Sequence, residues 1–221
     1  MNRTSRDTAT AHLDWDKRWQ NEDGRADWLT PEPDVVSVAQ DLSAQGGRKT
    51  LDLGCGVGRH ALYLASQGFE VMALDGSEAG LEYARGQAAK AGLSVDFRLG
   101  SILDIDYPDQ SFDYVLAWNV IYHGDEPVVR HCIDQIRRVL KPGGLYQGTM
   151  LSKRNRLYNK GTEVAPNTFV SDTTDDKQHP HFYCNAKELI DLFAGFETVS
   201  LYDKEHKSPG SFHWHMVAEK E

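Results

Sequence analysis

The sequence is poor in cysteine and has no long apolar run. Its three cysteines, Cys55, Cys132 and Cys184, lie far apart and form no CxxC pair, which disfavours zinc-thiolate and dithiol redox chemistry. No segment approaches the roughly 18 uncharged apolar residues of a membrane helix, and the first residues lack the apolar core of a signal peptide. We therefore expect reduced thiols and a soluble, cytoplasmic protein.

Basic residues are also scarce. The chain has 24 Lys and Arg against 33 Asp and Glu, a net charge of -9, and no block of like charges. This balance disfavours a nucleic-acid or membrane partner and favours a small-molecule one. Neither a repeat nor a compositional bias is present, so 221 residues suit one domain with a short extension. The oligomeric state, monomer or homodimer, stays open.

From about residue 49, short apolar runs alternate with helix-like segments, as in a sheet that carries helices on both faces. The predicted helices begin at His60, Ser77 and Asp125, and a later one begins near Asn185 with Glu188 as its capping box. The predicted strands are Thr50–Leu53, Glu70–Leu74, Val95–Leu99, Phe112–Trp118, a fifth in "LYQGTML", and two final runs in "FETVSLY" and "SFHWHMVAE".

The connector "DKEHKSPG" between the last two strands is too short for a crossover helix. If these strands pair directly, they must therefore be antiparallel. Before them, the polar stretch 152–184 is too long for an ordinary connection. Long loops often carry function, so we predict that this stretch contributes to a substrate site.

A glycine-rich turn, "LDLGCGVGRH", follows the first predicted strand. Arg59 and His60 stand where a P-loop requires Lys and Ser or Thr, so a P-loop is excluded. Gly54, Gly56 and Gly58 give GxGxG rather than the GxGxxG of dinucleotide-binding folds. The spacing alone is weak evidence against a dinucleotide.

Two acidic residues sharpen the choice of ligand. Asp52 precedes the first glycine by two residues, and a carboxylate about 4 Å from a phosphate is repelled by up to roughly 4 kcal/mol. S-adenosylmethionine has no phosphate and carries an ammonium and a sulfonium, which Asp52 would attract. Asp75, at the end of the second strand, is placed to accept ribose hydroxyls, or it begins a turn and caps the next helix.

"LDLGCGVGR", "VMALDGSEAGLEYAR", "SFDYVLAWNVIYH" and "RVLKPGGLY" together resemble the class I S-adenosylmethionine-dependent methyltransferases, most of all the small tellurite-resistance and thiopurine type. The resemblance covers residues 49–151. It implies an α/β, Rossmann-like, doubly wound sheet of seven strands, mostly parallel with the last strand antiparallel. Residues 49–221 would form the methyltransferase domain, and residues 1–48 an N-terminal helical cover.

The resemblance also implies the cofactor site. Ser101 stands where the family commonly has an acidic residue near the adenine, and Asn119 would lie beside the methyl group. Ile102 would pack on the base, and Trp19 belongs to the N-terminal cover. The expected cofactor-binding residues are Asp52, Gly54, Cys55, Gly56, Gly58, Asp75, Gly76, Ser77, Ser101, Ile102, Asn119 and Trp19.

Four regions are candidates for the substrate side. Trp15 and Trp19 in "WDKRW" form a lid or anchor a terminal helix, two readings that spacing cannot separate. Tyr122 and His123 follow the fourth strand at the ligand edge. Arg154 and Arg156 attract an anion or belong to a solvated basic loop.

The fourth region consists of two HxH elements. We expect His179, His213 and His215 at the substrate, and His181, Tyr183 and His123 as candidate catalytic groups. Paired histidines on a strand also suit a metal ion, but no carboxylate or cysteine motif accompanies them, so a base, a polar wall or packing is preferred and no metal is predicted.

The sequence thus predicts a methyltransferase that moves a methyl group from S-adenosylmethionine to a small thiol, amine, carboxylate or metalloid, leaving S-adenosylhomocysteine. The alternatives are a non-catalytic protein that binds the same cofactor, and a dinucleotide-dependent oxidoreductase.

Overall fold

The computed structural model describes residues 9–44, 48–171, 179–206 and 208–221. The helices in these ranges are α1 (Ala11–Trp19), α2 (Glu22–Arg25), α3 (Pro33–Ser43), α4 (Arg59–Ser66), α5 (Glu78–Ala91), α6 (Glu126–Val139) and α7 (Ala186–Leu192), with a 3₁₀ turn at Ala26–Trp28. The strands are β1 (Lys49–Leu53), β2 (Glu70–Asp75), β3 (Asp96–Leu99), β4 (Phe112–Ala117), β5 (Leu140–Ser152), β6 (Thr162–Ala165), β7 (Thr168–Val170), β8 (His181–Cys184), β9 (Phe196–Glu205) and β10 (Phe212–Lys220).

The main sheet has the strand order β3-β2-β1-β4-β5-β10-β9. The first five strands are parallel to their neighbours. β10 is antiparallel both to β5 and to β9. The predicted α/β fold, with seven main strands and an antiparallel last strand, is confirmed.

Alternate side chains of β4 enter the two layers of the core. Tyr114 and Leu116 pack in the cluster that contains Val35 of α3, whereas Val115 and Ala117 pack in the cluster that contains Ile133 of α6. Successive side chains of a strand point to opposite faces. Helices therefore cover both faces of the sheet, which explains the nearly continuous apolar runs in the strand sequences.

Local sequence signals place the helix ends correctly. Ser77 accepts a hydrogen bond from the amide of Gly80 and caps α5. Asp125 caps α6 in the same way through the amide of Val128. Asn185 and Glu188 form the predicted capping box of α7. These signals depend on residues within one turn of each other, so they can be recognised without knowledge of the tertiary structure.

The polar stretch 152–184 is not one irregular loop. β6, β7 and β8 form a small antiparallel sheet within it, and β8 also pairs in parallel with β5 at Leu151 and Tyr183. Residues 172–178 lie outside the described residues.

All three cysteines are buried free thiols, as predicted. In the part of the chain that the structure describes, no helix is long and apolar enough to cross a membrane.

Candidate functional site

A cavity of about 310 Å³ lies at the carboxyl ends of β1 to β4. The helix after β1, α4, packs in one core layer and the helix after β4, α6, packs in the other, so the two helices cover opposite faces of the sheet. Ligands of open α/β sheets bind between two strands whose helices diverge in this way. The segments that line the cavity are Ala9 with Ala11, His12, Trp15 and Trp19 on the N-terminal side, Trp28, Gly54–Val57 with Arg59 and His60, Asp75 with Gly76, Leu99–Ile102, Trp118–Val120, and His123.

The glycine-rich loop closes on the protein itself. Four of its backbone amides donate hydrogen bonds within the fold: Gly54 and Cys55 to the carbonyl of Leu74 at 2.7 and 3.2 Å, Gly58 to the carbonyl of Cys55 at 2.9 Å, and Gly56 to Asp75 Oδ2 at 2.7 Å. These amides already donate to acceptors within the protein, whereas loops that bind phosphate direct their amides toward the ligand.

Two of the loop glycines are required by shape. Gly54 has a φ of 69°, and a Cβ there would lie 2.4 Å from Val120 Cγ2. Gly58 has a φ of 84° at the start of α4, and a Cβ there would lie 2.8 Å from the Cβ of Ala84. Both residues shape the turn, but Gly58 does not line the cavity.

Asp75 holds the turn before α5 and lies at the cavity. Its Oδ1 accepts from the amide of Ser77 at 2.8 Å and its Oδ2 accepts from Gly56. The residue also lines the cavity, as predicted for a ribose-binding carboxylate. Burial raises the pKa of Asp75, and the two amide hydrogen bonds oppose that rise.

Asp52 does not take the predicted position beside the ligand. It is buried behind the loop, does not line the cavity, and accepts a hydrogen bond from the amide of Ala61. Burial raises the pKa of Asp52 to about 7, although Arg59 opposes the rise. Among the described residues, no hydrogen-bond donor reaches its Oδ2. The argument from a full negative charge at the ligand is therefore not supported, because Asp52 faces the interior and ionises only near neutral pH.

Asn119 lines the cavity in a left-handed conformation, with a φ of 61°. Thr149 on β5 holds it there: the Asn119 amide donates to Thr149 Oγ1, and that hydroxyl donates to Asn119 Oδ1, both at 2.9 Å. A left-handed non-glycine residue that neighbours over-determine is typical of functional sites.

A group of three tryptophans, which we call the aromatic lid, lines the cavity. We define it as Trp15, Trp19 and Trp28. Trp15 stacks on Trp19 with ring centroids 4.9 Å apart, and Trp28 meets both rings edge to face. Trp19 is buried over the glycine loop, where a Cβ on Gly56 would lie 3.4 Å from its ring. Trp15 and Trp19 were predicted, and Trp28 was missed because it lies outside the "WDKRW" motif.

Asp16 attaches the lid to the domain, and sequence reasoning missed it as well. Its Oδ1 accepts hydrogen bonds from Ser77 Oγ at 2.8 Å and from the amide of Ala79 at 3.0 Å. Ser77 itself is buried and does not line the cavity. The position of an acidic residue between two tryptophans was the available signal.

Two residues predicted to lie near the adenine are at the cavity. Ser101 and Ile102 line the cavity, next to Gly76 and His12. Asp104, an acidic residue three positions after Ser101 that could have replaced the missing one, is exposed and lies outside the lining. His12 could not be assigned from sequence because no motif marks it.

Three buried histidines lie at the edge of the cavity. His123 lines it, and its Nδ1 lies 2.9 Å from His179 Nε2. His181 lies against both rings, with centroids 4.7 Å from His123 and 4.3 Å from His179. Tyr122 is buried behind His123.

The remaining predicted substrate residues do not line the cavity. Arg154 is exposed over Phe212 and near Asp203, and Arg156 donates to the carbonyl of Pro209. His213 and His215 are buried beside His206, and Tyr183 packs against Tyr158 and Phe169. Of the predicted catalytic residues, His123 lines the cavity, whereas His181 and Tyr183 do not.

Three further residues that were missed, Arg59, His60 and Trp118, also line the cavity, and the guanidinium of Arg59 lies over the ring of Trp28, 5.1 Å from its centroid. Arg59 is paired with Glu32 at 2.8 Å, and both side chains are largely buried. Of the lysines and arginines in the described residues, Arg59 is the one that lines the cavity. Its charge is therefore already balanced.

Comparison with known proteins places the same region in a family. Residues 50–144 match the methyltransferase domain family model. A sterol 24-C-methyltransferase of Gibberella zeae is 36% identical over 112 residues, which cover 49% of this chain and 29% of that protein. A ubiquinone biosynthesis O-methyltransferase of Ruegeria pomeroyi is 30% identical over 158 residues, 69% of this chain and 61% of that protein. The chain thus spans less than two thirds of these relatives.

Solved structures share the whole fold. A Burkholderia thailandensis 1,6-didemethyltoxoflavin-N1-methyltransferase, bound to 1,6-didemethyltoxoflavin and S-adenosylhomocysteine, aligns with a TM-score of 0.75 at 20% identity, covering 100% of this chain and 92% of its own. TehB of Haemophilus influenzae aligns with a TM-score of 0.65 at 19% identity, covering 89% and 65%. The predicted fold is confirmed, and the match of residues 50–144 supports the predicted family.

Proposed function

We propose, from the match of residues 50–144 to a methyltransferase domain family, that this protein transfers the methyl group of S-adenosylmethionine to a small, flat, largely apolar acceptor. The glycine loop, Asp75 and Asn119 would hold the cofactor, and the aromatic lid would cover it. Residues 1–48 would act as the cover of the domain at 49–221.

The choice of cofactor depends on one observation: the amides of the glycine loop donate hydrogen bonds to the protein itself. A pyrophosphate needs backbone donors or cations, but four loop amides donate inside the protein and Arg59 is paired with Glu32. A sulfonium cofactor needs neither. This argument replaces the charge of Asp52 as the reason to disfavour a dinucleotide.

Asp75 can bind a ribose without releasing the loop. Each carboxylate oxygen has two lone pairs, and each oxygen of Asp75 accepts one backbone amide. The four lone pairs exceed what these two amides and the amide of Gly76 occupy, so at least one is left for a hydroxyl donor. The aromatic lid complements a sulfonium, since the faces of indole rings attract cations.

Methyl transfer breaks the bond between sulfur and the methyl carbon, sulfur keeps the electron pair, and the acceptor atom forms the new bond to carbon. The protein mainly has to align the acceptor and exclude water. His123 Nε2 lies 2.9 Å from the carbonyl of Asn119 and its Nδ1 faces His179. Both ring nitrogens are engaged, so in this arrangement His123 does not act as a direct base.

The proposed shape of the methyl acceptor is inferred from the side chains that line the cavity. Trp15, Trp28 and Trp118 surround the cavity with indole rings, which favour flat ligands. The toxoflavin methyltransferase of the same fold holds 1,6-didemethyltoxoflavin as its bound compound. The cavity volume lies within the range of small-molecule sites, and we propose no macromolecular acceptor.

Isothermal titration with S-adenosylmethionine, S-adenosylhomocysteine and NAD tests the cofactor. We expect micromolar binding of both sulfur ligands and none of NAD, with binding at least about tenfold weaker in Asp75→Asn. Asp104→Asn is the matched control, because Asp104 is exposed and outside the cavity. Binding of NAD in preference to the sulfur ligands would overturn the proposal.

A second measurement separates an enzyme from a binding protein. S-adenosylhomocysteine is quantified while flat heteroaromatic hydroxyl, thiol and amine compounds are supplied with S-adenosylmethionine. Acceptor-dependent product formation supports catalysis. Tight cofactor binding without product for any acceptor would favour the non-catalytic alternative.

A further inference from the structure

We propose that His123, His179 and His181 form a binding site for a zinc ion beside the cavity. All three side chains are buried, and one ring nitrogen of each lies within 4.8 Å of the others. The ring centroids are 4.3 to 4.8 Å apart. Three imidazoles facing one point provide the ligands of an open, four-coordinate zinc site.

The fold brings these residues together from distant parts of the chain. His123 follows β4, whereas His181 begins β8, and the two form an isolated antiparallel bridge. The amide of Phe182 also donates to the carbonyl of Tyr122 at 2.9 Å. His179 lies two residues before His181 and completes the group. Backbone pairing therefore fixes the distances between the imidazoles.

The outer nitrogens of the three rings face acceptors. His123 Nε2 lies 2.9 Å from the carbonyl of Asn119, and His181 Nδ1 lies 2.6 Å from the carbonyl of His179. A carbonyl accepts only, so both of these nitrogens carry hydrogen, and in the neutral rings the lone pairs are on His123 Nδ1 and His181 Nε2.

The third ring, His179, has a carboxylate on its outer side: its Nδ1 lies 3.3 Å from Asp14 Oδ2 on α1. An acceptor on the far nitrogen of each histidine is the usual second layer of a zinc site, where it fixes the tautomer and orients the ring.

The inner nitrogens of His123 and His179 need only a small adjustment, and the group, which lies within 4.8 Å, has to close to about 3.4 Å around the ion. His179 Nε2 and His123 Nδ1 are 2.9 Å apart and share a hydrogen, whereas two nitrogens on tetrahedral zinc are about 3.4 Å apart, given a Zn–N bond of about 2.0 Å. The ion would replace the shared hydrogen. Imidazole ligands suit zinc, whereas magnesium and calcium prefer oxygen.

The position of the site also suggests its use. His123 lines the cavity, so an open coordination position near it would bind an oxygen, nitrogen or sulfur atom of a ligand and lower its pKa. Binding of the ion itself does not depend on the proposed methyl transfer, and it is measured without cofactor or acceptor.

Chelator-treated protein is titrated with zinc chloride by calorimetry and with cobalt chloride by visible absorption. We expect one equivalent to bind, with the intense absorption of tetrahedral cobalt. His179→Gln and His181→Gln should each weaken zinc binding by at least about 100-fold, and Asp14→Asn by about 10- to 100-fold. Thermal unfolding without metal shows whether each variant is folded.

His131→Gln is the control for adventitious surface binding, because His131 is exposed on α6; it should leave the affinity unchanged. Absence of one-equivalent binding overturns the proposal, as does unchanged affinity in folded His179→Gln and His181→Gln. If neither variant folds, Asp14→Asn decides, since Asp14 is on the surface and its replacement preserves the fold. Failure of the cofactor titration would leave this result unaffected.

Discussion

The carboxylate of Asp16 on α1 accepts a hydrogen bond from the hydroxyl of Ser77 at the start of α5, 61 residues away. The same oxygen accepts the amide of Ala79. The lid helix therefore caps a helix of the domain, and one interaction serves both the stability of α5 and the position of the tryptophans.

Asp16→Ala should destabilise the protein by about 1 kcal/mol, the usual effect of losing a helix cap, and should weaken cofactor binding because α1 loses its anchor. Urea unfolding and calorimetry measure the two effects. Lys17→Ala, at an exposed position of the same helix, is the control and should change neither. Equal cofactor affinity in both variants would contradict the proposed role of the lid.

Two glycines of α5 provide a matched pair. A Cβ on Gly80 would lie 2.9 Å from Trp19 Cδ1 and 3.0 Å from the carbonyl of Gly56, whereas a Cβ on Gly86 would meet nothing within 4 Å. Gly80→Ala should displace Trp19, lower stability and weaken cofactor binding. Gly86→Ala should raise stability by up to about 1 kcal/mol, because alanine favours the helix. Thermal unfolding compares them, and a stabilising Gly80→Ala would show that the contact is not tight.

The buried carboxyl of Asp52 should make the free energy of unfolding depend on pH. Burial raises its pKa from 3.8 to about 7, so the folded state binds more protons than the unfolded state between these values. Its contribution to stability is thus greatest below the unfolded pKa and falls as the pH rises toward 7, by on the order of 4 kcal/mol in total.

Asp52→Asn should remove this dependence and stabilise the protein at pH 8 relative to the wild type. The amide oxygen can still accept from Ala61, and the group carries no charge to desolvate. Urea unfolding of both proteins from pH 5 to pH 8 measures the difference. Cofactor affinity should change little, because Asp52 does not line the cavity; a large loss would restore the interpretation made from sequence.

Two substitutions of Asn119 distinguish the effect of its left-handed backbone from the effect of its side chain. At a φ of 61°, alanine costs about 1–2 kcal/mol, whereas glycine has no such penalty. Asn119→Ala should therefore be less stable than Asn119→Gly, although both lose the hydrogen bond from Thr149. If the side chain contacts the cofactor, the folded protein of both variants should lose the same amount of cofactor affinity. Restored affinity in the glycine variant would show that only the backbone conformation matters.

Much of the fold was predictable from sequence because its signals are local. Apolar runs that alternate with helix-like segments predicted where strands and helices occur along the sequence. Ser77, Asp125 and Asn185 marked helix starts, because their side chains accept hydrogen bonds from residues within one turn. The short connector before β10 required an antiparallel ending, which the pairing of β9 and β10 confirms.

The site was predictable only where it follows directly from a strand end. Asp75 ends β2, and Ser101 and Asn119 follow β3 and β4. Parallel strands bring these ends to one edge of the sheet. The direction in which a side chain points was not predictable in the same way, and Asp52, one residue from the end of β1, turned out to face the interior.

The sequence by itself therefore determined the element order, the glycine turn and the edge at which the cavity lies, because each depends on neighbouring residues. Only the tertiary structure decided that Trp28 joins the lid, that Asp16 anchors it, and that His123 meets the HxH element of β8. These contacts join segments that are distant in sequence, and their geometry is set by how helices and strands pack, which no local pattern encodes.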